Sequence, residues 1–296
     1  MTELSTPDRV YFAKPEITKR DYADYLETVC EAMLPHVARR PLSLVRCPGG
    51  VDEDCFFQKH HAKGMPDGFK TAQITEQSGE TQPYIYIDDL EGLKSCAQFG
   101  ALELHPWAAD LGDLEHPERL IFDLDPDEAL DFSAVKSAAT AVRDVLKDAG
   151  LAAYPMLTGG KGVHVIAPLK PEASWDAAKA FCRGVARSLS KAEPERYTAE
   201  MSKAGRKGRV FIDWLRNQRG QTSVAPYSVR ARKGAPVATP IRWDELSGAA
   251  SGGDYTIKSL PRRLAALTAD PWADYFGDAR TLSKDAIDRA CEAVED

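Results

Sequence analysis

The central part of the chain alternates apolar runs with amphipathic stretches, and this pattern predicts the element order β-α-β-β-α-β. Short apolar runs bounded by turn residues are typical of buried strands, and apolar residues spaced by three and four indicate helices. Ser133 and Ser174 can cap the two helices, and Gly150 follows the first. The predicted strands span residues 120–125, 152–157, 163–169 and 210–214. This order is the ferredoxin-like (RRM-like) arrangement, so we predict an α+β fold built around this βαββαβ unit. The unit is called the palm below.

Two carboxylates stand two residues apart on the first predicted strand, at Asp123 and Asp125. Strand side chains alternate between faces, so both carboxylates should point the same way. Two like charges that close repel each other unless a cation joins them, and hard oxygen ligands suit Mg²⁺ or Mn²⁺. The alternative is a turn, because Asp-Pro-Asp is favourable turn sequence and Asp125 could cap the next helix. The motif alone leaves both interpretations open.

The strand order that is usual for this arrangement favours the metal site. It places the first strand between the third and the fourth, so Asp213 of the fourth strand should lie beside Asp123 and Asp125. Three acids on one face of a sheet would be expensive without a counter-charge. The same order puts His164, on the third strand, next to the first strand. We therefore predict that the three aspartates bind metal.

A glycine-rich turn, residues 158–162, joins the second and third predicted strands. Glycines let backbone N–H groups approach a phosphate, and Lys161 adds positive charge. The spacing differs from that of a Walker loop, and a hairpin needs glycine in any case. Beside a site of three aspartates, the turn predicts a cradle for a triphosphate. His164 lies one strand step further on, so we expect it to contact phosphate rather than to be purely structural.

The length of 296 residues suits one large domain or two small ones. We predict a single domain of three parts: an N-terminal α/β module over about residues 1–115, the palm over 116–235 and a C-terminal extension over 236–296. In the N-terminal module, the pattern predicts a helix over 20–37, strands over 42–46 and 84–87, and a helix or turn over 90–103. Residues 247–253 look like a flexible loop.

The net charge of −7 argues weakly against a protein that coats nucleic acid without specificity. The charge is uneven, however, because residues 203–233 contain many bases and a single acid, Asp213. The bases are Lys203, Arg206, Lys207, Arg209, Arg216, Arg219, Arg230, Arg232 and Lys233. This basic segment suggests a focused site for a polyanion, and the alternative is a solvated basic loop.

Adjacent aromatic residues, Phe56 and Phe57, precede the bases Lys59, His60 and His61. Aromatic faces stack on nucleobases and cations neutralise phosphate, so this segment is a candidate nucleic-acid contact. The alternative is that the two aromatic side chains belong to the core.

The six cysteines are scattered without a CxxC pair, which fits reduced cytosolic thiols better than a disulfide framework. A zinc site could be imagined from Cys47, Cys55, His60 and His61, but their spacing fits no standard pattern. No apolar run approaches the roughly 18 residues of a membrane span, and the N-terminus lacks the features of a secretion signal. We expect a cytoplasmic protein with no membrane partner.

These motifs together resemble the polymerase domain of bacterial ligase D, a member of the archaeo-eukaryotic primase superfamily. The resemblance extends from residue 8 to about residue 275 and rests on four separated motifs in the right order. The motifs occupy residues 122–126, 158–165, 210–214 and 225–232. The resemblance implies a primase-type fold with an N-terminal α/β module packed against the palm.

The family adds nucleotides, preferentially ribonucleotides, to DNA 3′ ends in gap filling and non-homologous end joining. By this resemblance Asp123, Asp125 and Asp213 would hold two ions, Mn²⁺ or Mg²⁺. The resemblance further implies as partners DNA ends or gaps with a 5′-phosphate, NTPs or dNTPs, Ku and an ATP-dependent DNA ligase. The expected location is the bacterial nucleoid.

The resemblance also assigns expected roles to individual residues. The incoming nucleotide would be bound by Thr158, Lys161, His164 and Arg230, with His105 and Arg206 near the active site. Phe56 and Phe57 would pack against template and nucleotide. Arg9 and Lys19 fall where the family binds a downstream 5′-phosphate.

The sequence departs from the family pattern at a few positions. Thr158 replaces the usual serine and keeps its hydroxyl, Arg9 stands where lysine is common, and Val45 stands where some members carry a base. No ligase or nuclease motif is present, so the chain is a stand-alone polymerase or one piece of a larger protein. Two alternative functions remain to be tested. One is a nucleotidyl cyclase on a similar palm, and the other is a DNA-end-binding scaffold without catalysis.

Overall fold

The computed structural model describes residues 4–202 and 204–295 and shows a mixed α+β protein. The helices are α1 (Lys19–Val37), α2 (Leu90–Phe99), α3 (Phe132–Asp148), α4 (Trp175–Ala192), α5 (Trp243–Gly248), α6 (Leu260–Ala266) and α7 (Lys284–Glu295). The strands are β1 (Val10–Ala13), β2 (Glu16–Thr18), β3 (Leu42–Arg46), β4 (Phe56–Gln58), β5 (Lys70–Thr75), β6 (Thr81–Tyr86), β7 (Ala101–Pro106), β8 (Arg119–Pro126), β9 (Tyr154–Leu157), β10 (Val163–Pro168), β11 (Tyr197–Thr198), β12 (Val210–Asp213) and β13 (Thr239–Pro240). A short 3-10 helix spans Ala204–Arg206. Within the described residues, no helix has both the length and the apolar character needed to cross a membrane.

The described part of the chain folds as two compact units. Unit 1 takes its residues from Met1–Trp107, Thr222–Thr239 and Tyr255–Asp270, and unit 2 takes its residues from Ala108–Gln221, Pro240–Asp254 and Pro271–Asp296. The palm was predicted to run through residues 116–235, but the structure places 222–235 in unit 1. Hydrogen bonds explain this difference. The Ala225 N–H donates to Leu104 O at 2.9 Å, and the Tyr25 hydroxyl donates to Tyr227 O at 2.7 Å.

Unit 2 contains the predicted βαββαβ palm. Its six-stranded sheet has the order β11-β12-β8-β10-β9-β13, so the first palm strand, β8, lies between the third, β10, and the fourth, β12. This confirms the predicted strand order. Helix α3 packs on β8 and β10, and its buried face is an apolar stripe. The stripe consists of Val135, Ala138, Ala139, Val142 and Leu146.

The caps of the two palm helices differ in how well the sequence predicted them. The Ser174 hydroxyl accepts a hydrogen bond from the Ala177 N–H at 3.3 Å, so Ser174 caps α4 as predicted. The prediction that Ser133 caps α3 is wrong. The cap residue is Asp131, and the helix already begins at Phe132, so Ser133 lies within its first turn.

Unit 1 is built around a second sheet, in which β4, β3, β6 and β5 follow one another and β7 also pairs with β3. Helices α1 and α2 pack against each other, and Thr18 caps α1 in a capping box with Asp21. The predicted helix or turn over residues 90–103 is partly wrong, because α2 stops at Phe99. Gly100 adopts φ 70°, a left-handed conformation that ends a helix, and the chain then continues as β7.

Two cysteines depart from the prediction of reduced thiols, because Cys47 and Cys55 form a disulfide. The β3–β4 hairpin explains this pairing. Cys47 directly follows β3 and Cys55 directly precedes β4, so their Cα atoms are 4.4 Å apart. The bonded sulfurs are not available as zinc ligands. The thiols of Cys30, Cys96, Cys182 and Cys291 are free.

Candidate active site

The strand register of the palm brings three of the predicted site residues into one row. Asp213 on β12 is the direct partner of Asp123 on β8, and His164 on β10 is the partner of Asp123 on the other side. His164 Nε2 lies 3.3 Å from Asp123 Oδ1. Asp125 follows two residues along β8 and therefore shares the face of Asp123. The sequence thus predicted correctly which acidic strands meet.

Arg216 supplies a positive charge to this row of acids. Its Nη2 lies 3.5 Å from Asp123 Oδ2, and its Nε lies 3.5 Å from Asp213 Oδ2. The other oxygen of Asp213 accepts a hydrogen bond from the Leu215 N–H at 2.8 Å. The sequence placed Arg216 only within the basic segment. The spacing of three residues between Asp213 and Arg216 could have indicated this contact. It is not specific, however, because the two side chains meet only when a turn folds the chain back after β12.

The carboxylates of Asp125 and Asp213 are held in an environment that disfavours their charge. Burial, followed by the negative charges of Asp123 and Asp213, raises the pKa of Asp125 from 3.8 to about 6. Burial also raises the pKa of Asp213, although Arg216 opposes this shift. His164 and Arg206 lower the pKa of Asp125 by a smaller amount. The site therefore carries negative charge that its own bases compensate only in part.

The donor chemistry of the three aspartates fits a hard divalent cation, since all three offer carboxylate oxygens on one face of the sheet. As the side chains stand, no group of three His, Cys, Asp or Glu residues within 4–202 and 204–295 is arranged to hold a metal ion. The Arg216 guanidinium provides the counter-charge instead. Asp123, Asp125 and Asp213 are the residues that could hold a cation.

The glycine-rich turn lies at the end of β9, as predicted. The Thr158 hydroxyl donates to Gly162 O at 3.0 Å and so closes the turn on itself. Lys161 is exposed, and its amine lies 2.8 Å from Glu128 Oε1. An exposed ion pair of this kind contributes little stability, so Lys161 can exchange this partner for a phosphate.

Residues 247–253 are not the flexible loop that their composition suggested, because 247 and 248 form the end of α5 and the rest is an ordered loop. The Gly159 N–H donates to Gly252 O at 2.8 Å, so the loop is tied to the glycine-rich turn. The Asp254 carboxylate orders the loop by accepting hydrogen bonds from the Ala250 and Ser251 N–H groups. Gly252 approaches so closely that a Cβ atom there would lie 2.4 Å from Gly162 O. Sequence reasoning missed this support for the turn.

Replacing Gly252 with alanine should therefore push the turn out of place. We expect a loss of about 1–3 kcal/mol in the free energy of unfolding, together with a raised KM for nucleotide. Gly248→Ala is the matched control, because a Cβ there meets no atom within 4 Å. Thermal unfolding and steady-state kinetics of both variants test the prediction. Equal behaviour of the two variants would contradict it.

In unit 1, Glu103 on β7 connects two further predicted site residues. Its Oε2 lies 2.8 Å from His105 Nε2 and 3.1 Å from Arg230 Nε. Although burial opposes its ionisation, the hydrogen bond to His105 and the charge of Arg230 lower the pKa of Glu103 to about 2. Glu103 was not singled out in the sequence, because residues 90–103 were predicted as a helix or turn.

Phe56 and Phe57, on β4, are not core residues. Their exposed fractions are 47% and 71%, so the interpretation as buried aromatics is excluded. The Phe57 ring meets the His105 ring edge-on at 5.9 Å between centroids. The Arg46 guanidinium lies 5.2 Å from the Phe56 ring centroid. Unit 1 therefore presents two exposed aromatic side chains, of which Phe57 lies beside His105.

Arg9 and Lys19 lie close enough in unit 1 for their charges to interact. Burial, followed by the positive charge of Arg9, lowers the pKa of Lys19. The Lys19 amine donates to Ser5 O at 2.8 Å and to Gln98 Oε1 at 3.3 Å, and Arg9 Nη1 donates to Pro48 O at 2.9 Å. Lys19 is the first residue of α1, where the helix dipole favours an anion.

The bases of the basic segment belong to both units of the structure. Lys203 lies outside the described residues, and the other bases are divided between unit 2 and unit 1 at residues 221 and 222. Arg206 lies over the Phe211 ring at 3.8 Å, within unit 2. Arg219 is paired with Glu115 at 2.9 Å. Arg206 and Arg219 thus make local contacts within unit 2.

Comparison with known proteins places this geometry in a family. The profile of the family described as "LigD, primase-polymerase domain" matches residues 18–272. The multifunctional non-homologous end joining protein LigD of Pseudomonas aeruginosa is 36% identical over 281 residues, which are 95% of this chain and 33% of that protein. The LigD protein of Mycolicibacterium smegmatis is 38% identical over 246 residues, 82% of this chain and 32% of that protein. The chain thus spans about a third of the length of these relatives.

A solved structure extends the similarity to the fold. The polymerase domain from Mycobacterium tuberculosis ligase D, in complex with DNA, matches with a TM-score of 0.87 and 35% identity. The match covers 94% of this chain and 99% of the solved chain, so the expected primase-type fold is confirmed. The four motifs, the palm and these comparisons agree: the chain belongs to the LigD primase-polymerase domain family of nucleotidyltransferases.

Proposed function

We propose that this chain extends DNA 3′ ends with nucleotides at gaps and breaks, with a preference for ribonucleotides, during non-homologous end joining. The observation that carries the proposal is the row of Asp213, Asp123 and His164 across three palm strands, with Asp125 on the same face. The structural relative is a polymerase domain in complex with DNA, and the relatives are named for end joining.

The three aspartates would hold two divalent cations, Mn²⁺ or Mg²⁺. The cations would lower the pKa of the primer 3′-hydroxyl and stabilise charge on the leaving pyrophosphate. In unit 2, Thr158, Lys161 and His164 are the proposed phosphate ligands, and Arg206 is a further proposed nucleotide-binding residue. In unit 1, Arg230 is a proposed phosphate ligand and His105 a further nucleotide-binding residue, and Phe56 and Phe57 are proposed to pack against template and nucleotide.

Ku and an ATP-dependent DNA ligase are the proposed partners, and the bacterial nucleoid is the proposed location. The support for a role in end joining is the name of the relatives, which are multifunctional end-joining proteins about three times as long as this chain. Whether the ligase activity is on the same polypeptide or on another one does not affect the proposed reaction.

A primer-extension assay tests the proposal. The protein is incubated with Mn²⁺, labelled NTPs or dNTPs and a gapped DNA carrying a 5′-phosphate. We expect extension of the primer, faster with NTPs than with dNTPs. DNA binding without extension would leave a scaffold role, and a cyclic nucleotide product would identify a cyclase. Either result would overturn the proposal.

Lys19 tests the proposed 5′-phosphate site. Its amine is held by neutral oxygens, and a phosphate could replace one of them with a stronger, charged acceptor. Lys19→Ala should lower the preference for 5′-phosphorylated over unphosphorylated gaps by about fivefold or more. Lys94→Ala, whose lysine pairs with Glu27 in the same unit, is the matched control. An unchanged preference in the Lys19 variant would remove this residue from the site.

A further inference from the structure

We propose that Glu103 is a positioning residue for nucleotide binding, which holds His105 and Arg230 in the orientation in which they bind the nucleotide. The inference rests on the proposed function and adds to it a residue that does not itself touch the substrate. A carboxylate facing a triphosphate would repel it, so Glu103 acts through the two bases that it contacts.

Glu103 satisfies the geometric requirements of such a role. It is 6% exposed, and both of its oxygens are engaged. Oε2 contacts His105 and Arg230 at 2.8 Å and 3.1 Å, and Oε1 accepts the Ala231 N–H at 2.8 Å. One buried carboxylate thus restrains the side chains of both bases and the backbone next to Arg230.

The strand that carries Glu103 is itself firmly connected to the segment that carries Arg230. The Ala225 N–H donates to Leu104 O at 2.9 Å, and the Leu104 N–H donates to the Ser228 hydroxyl at 2.9 Å. The contacts of Glu103 with Arg230 and Ala231 follow two and three residues after Ser228 and continue this series of hydrogen bonds. The position of Arg230 therefore depends on β7 through the backbone and through a charged side-chain contact.

The segment that carries Arg230 also contains a strained backbone conformation, at Tyr227. Tyr227 adopts φ 66°, in the left-handed region that side chains other than glycine rarely occupy. Its carbonyl accepts the Tyr25 hydroxyl, and its own hydroxyl donates to Asp270 at 3.2 Å. The chain reverses at Tyr227, and this reversal directs the following residues, up to Arg230, along β7.

Pre-organisation is the physical benefit of this network. Arginine and histidine side chains lose conformational freedom when they bind a phosphate, and a partner that restrains them beforehand reduces that loss. The exposed fractions of the His105 and Arg230 side chains are 12% and 15%, so each is restrained but not sealed from solvent. The Phe57 ring against His105 extends the restraint toward a proposed base contact.

Glu103→Gln provides the first test, because it keeps the size of the side chain and removes its charge. We expect the KM for NTP and the Kd for a fluorescent NTP analogue to rise by about tenfold, with kcat changed by less than about threefold. Glu76→Gln is the matched control. Glu76 also has a pKa of about 2 and contacts Lys59, His60 and Tyr84 in the same unit, so its replacement should affect stability but not the KM for NTP.

A double-mutant cycle separates positioning from a general structural role. If Glu103 acts through Arg230, then Glu103→Gln combined with Arg230→Lys should raise the Kd little more than Arg230→Lys alone. Additive effects, or an unchanged Kd in a folded Glu103→Gln protein, would overturn the inference. Should Glu103→Gln not fold, Glu103→Asp keeps the charge on a shorter side chain and is expected to raise the Kd to an intermediate value.

The two proposals fail in distinguishable ways. If the wild-type protein binds the NTP analogue but extends no primer, the proposed function fails, and the effect of Glu103→Gln on the Kd still decides the present inference. If the wild-type protein binds no nucleotide, both fail.

Discussion

Replacing Asp213 with asparagine is expected to lower the rate of primer extension by at least about 10³-fold without unfolding the protein. Asp213 is the register partner of Asp123, and the two carboxylates share the contact with Arg216. Asparagine has nearly the same size but offers a weaker, neutral oxygen. The substitution should therefore weaken cation binding by the three aspartates. The expected loss of transition-state stabilisation is several kcal/mol.

The protein should remain folded because the negative charge of Asp213 destabilises the native state. Burial raises its pKa, so the neutral asparagine is tolerated at least as well at neutral pH. Primer extension, thermal unfolding and DNA binding are to be measured side by side. Asp148→Asn, at the exposed end of α3, is the control and should extend primers at the wild-type rate. A folded Asp213→Asn protein that keeps more than about a tenth of the wild-type rate would contradict the assignment of this residue.

Asp125→Asn is expected to stabilise the protein at pH 8 while abolishing its activity. The pKa of Asp125 rises from 3.8 to about 6 on folding, so its carboxylate form is disfavoured in the native state. The stability that this group contributes is fully present below pH 3.8 and is lost as the pH rises through about 6. At about 1.4 kcal/mol for each pKa unit, removal of the charge should raise the free energy of unfolding by up to about 3 kcal/mol at pH 8.

The pH dependence distinguishes this explanation from a simple packing effect. In urea unfolding with a chelator present, the difference between Asp125→Asn and wild type should be large at pH 8 and close to zero near pH 4. Addition of Mn²⁺ at pH 8 should stabilise the wild type more than the variant. A cation that binds the folded protein and not the unfolded chain shifts the folding equilibrium toward the folded state. A difference that is independent of both pH and Mn²⁺ would contradict the electrostatic origin.

Much of the palm follows from local physical rules. The apolar runs and the two amphipathic stretches specify which segments become strands and helices, and the two-residue spacing of Asp123 and Asp125 puts them on one face of β8. The usual order of a βαββαβ sheet then brings Asp213 beside them, and the structure has that order. Errors occurred where a local signal had several meanings. Ser133 could cap a helix but lies inside α3, and residues 90–103 contain both the end of α2 and the start of β7.

The sequence therefore predicted the four palm strands β8, β9, β10 and β12, the meeting of the three aspartates and the family to which the chain belongs. The tertiary structure alone decided what surrounds these residues. Glu103 meets Arg230 across 127 residues of chain, Gly252 supports the turn over residues 158–162, and Arg216 folds back onto two aspartates. The physical reason is that patterns of three, four or two residues record local backbone geometry. Pairings between distant segments depend instead on packing, burial and charge, which exist only once the chain has folded.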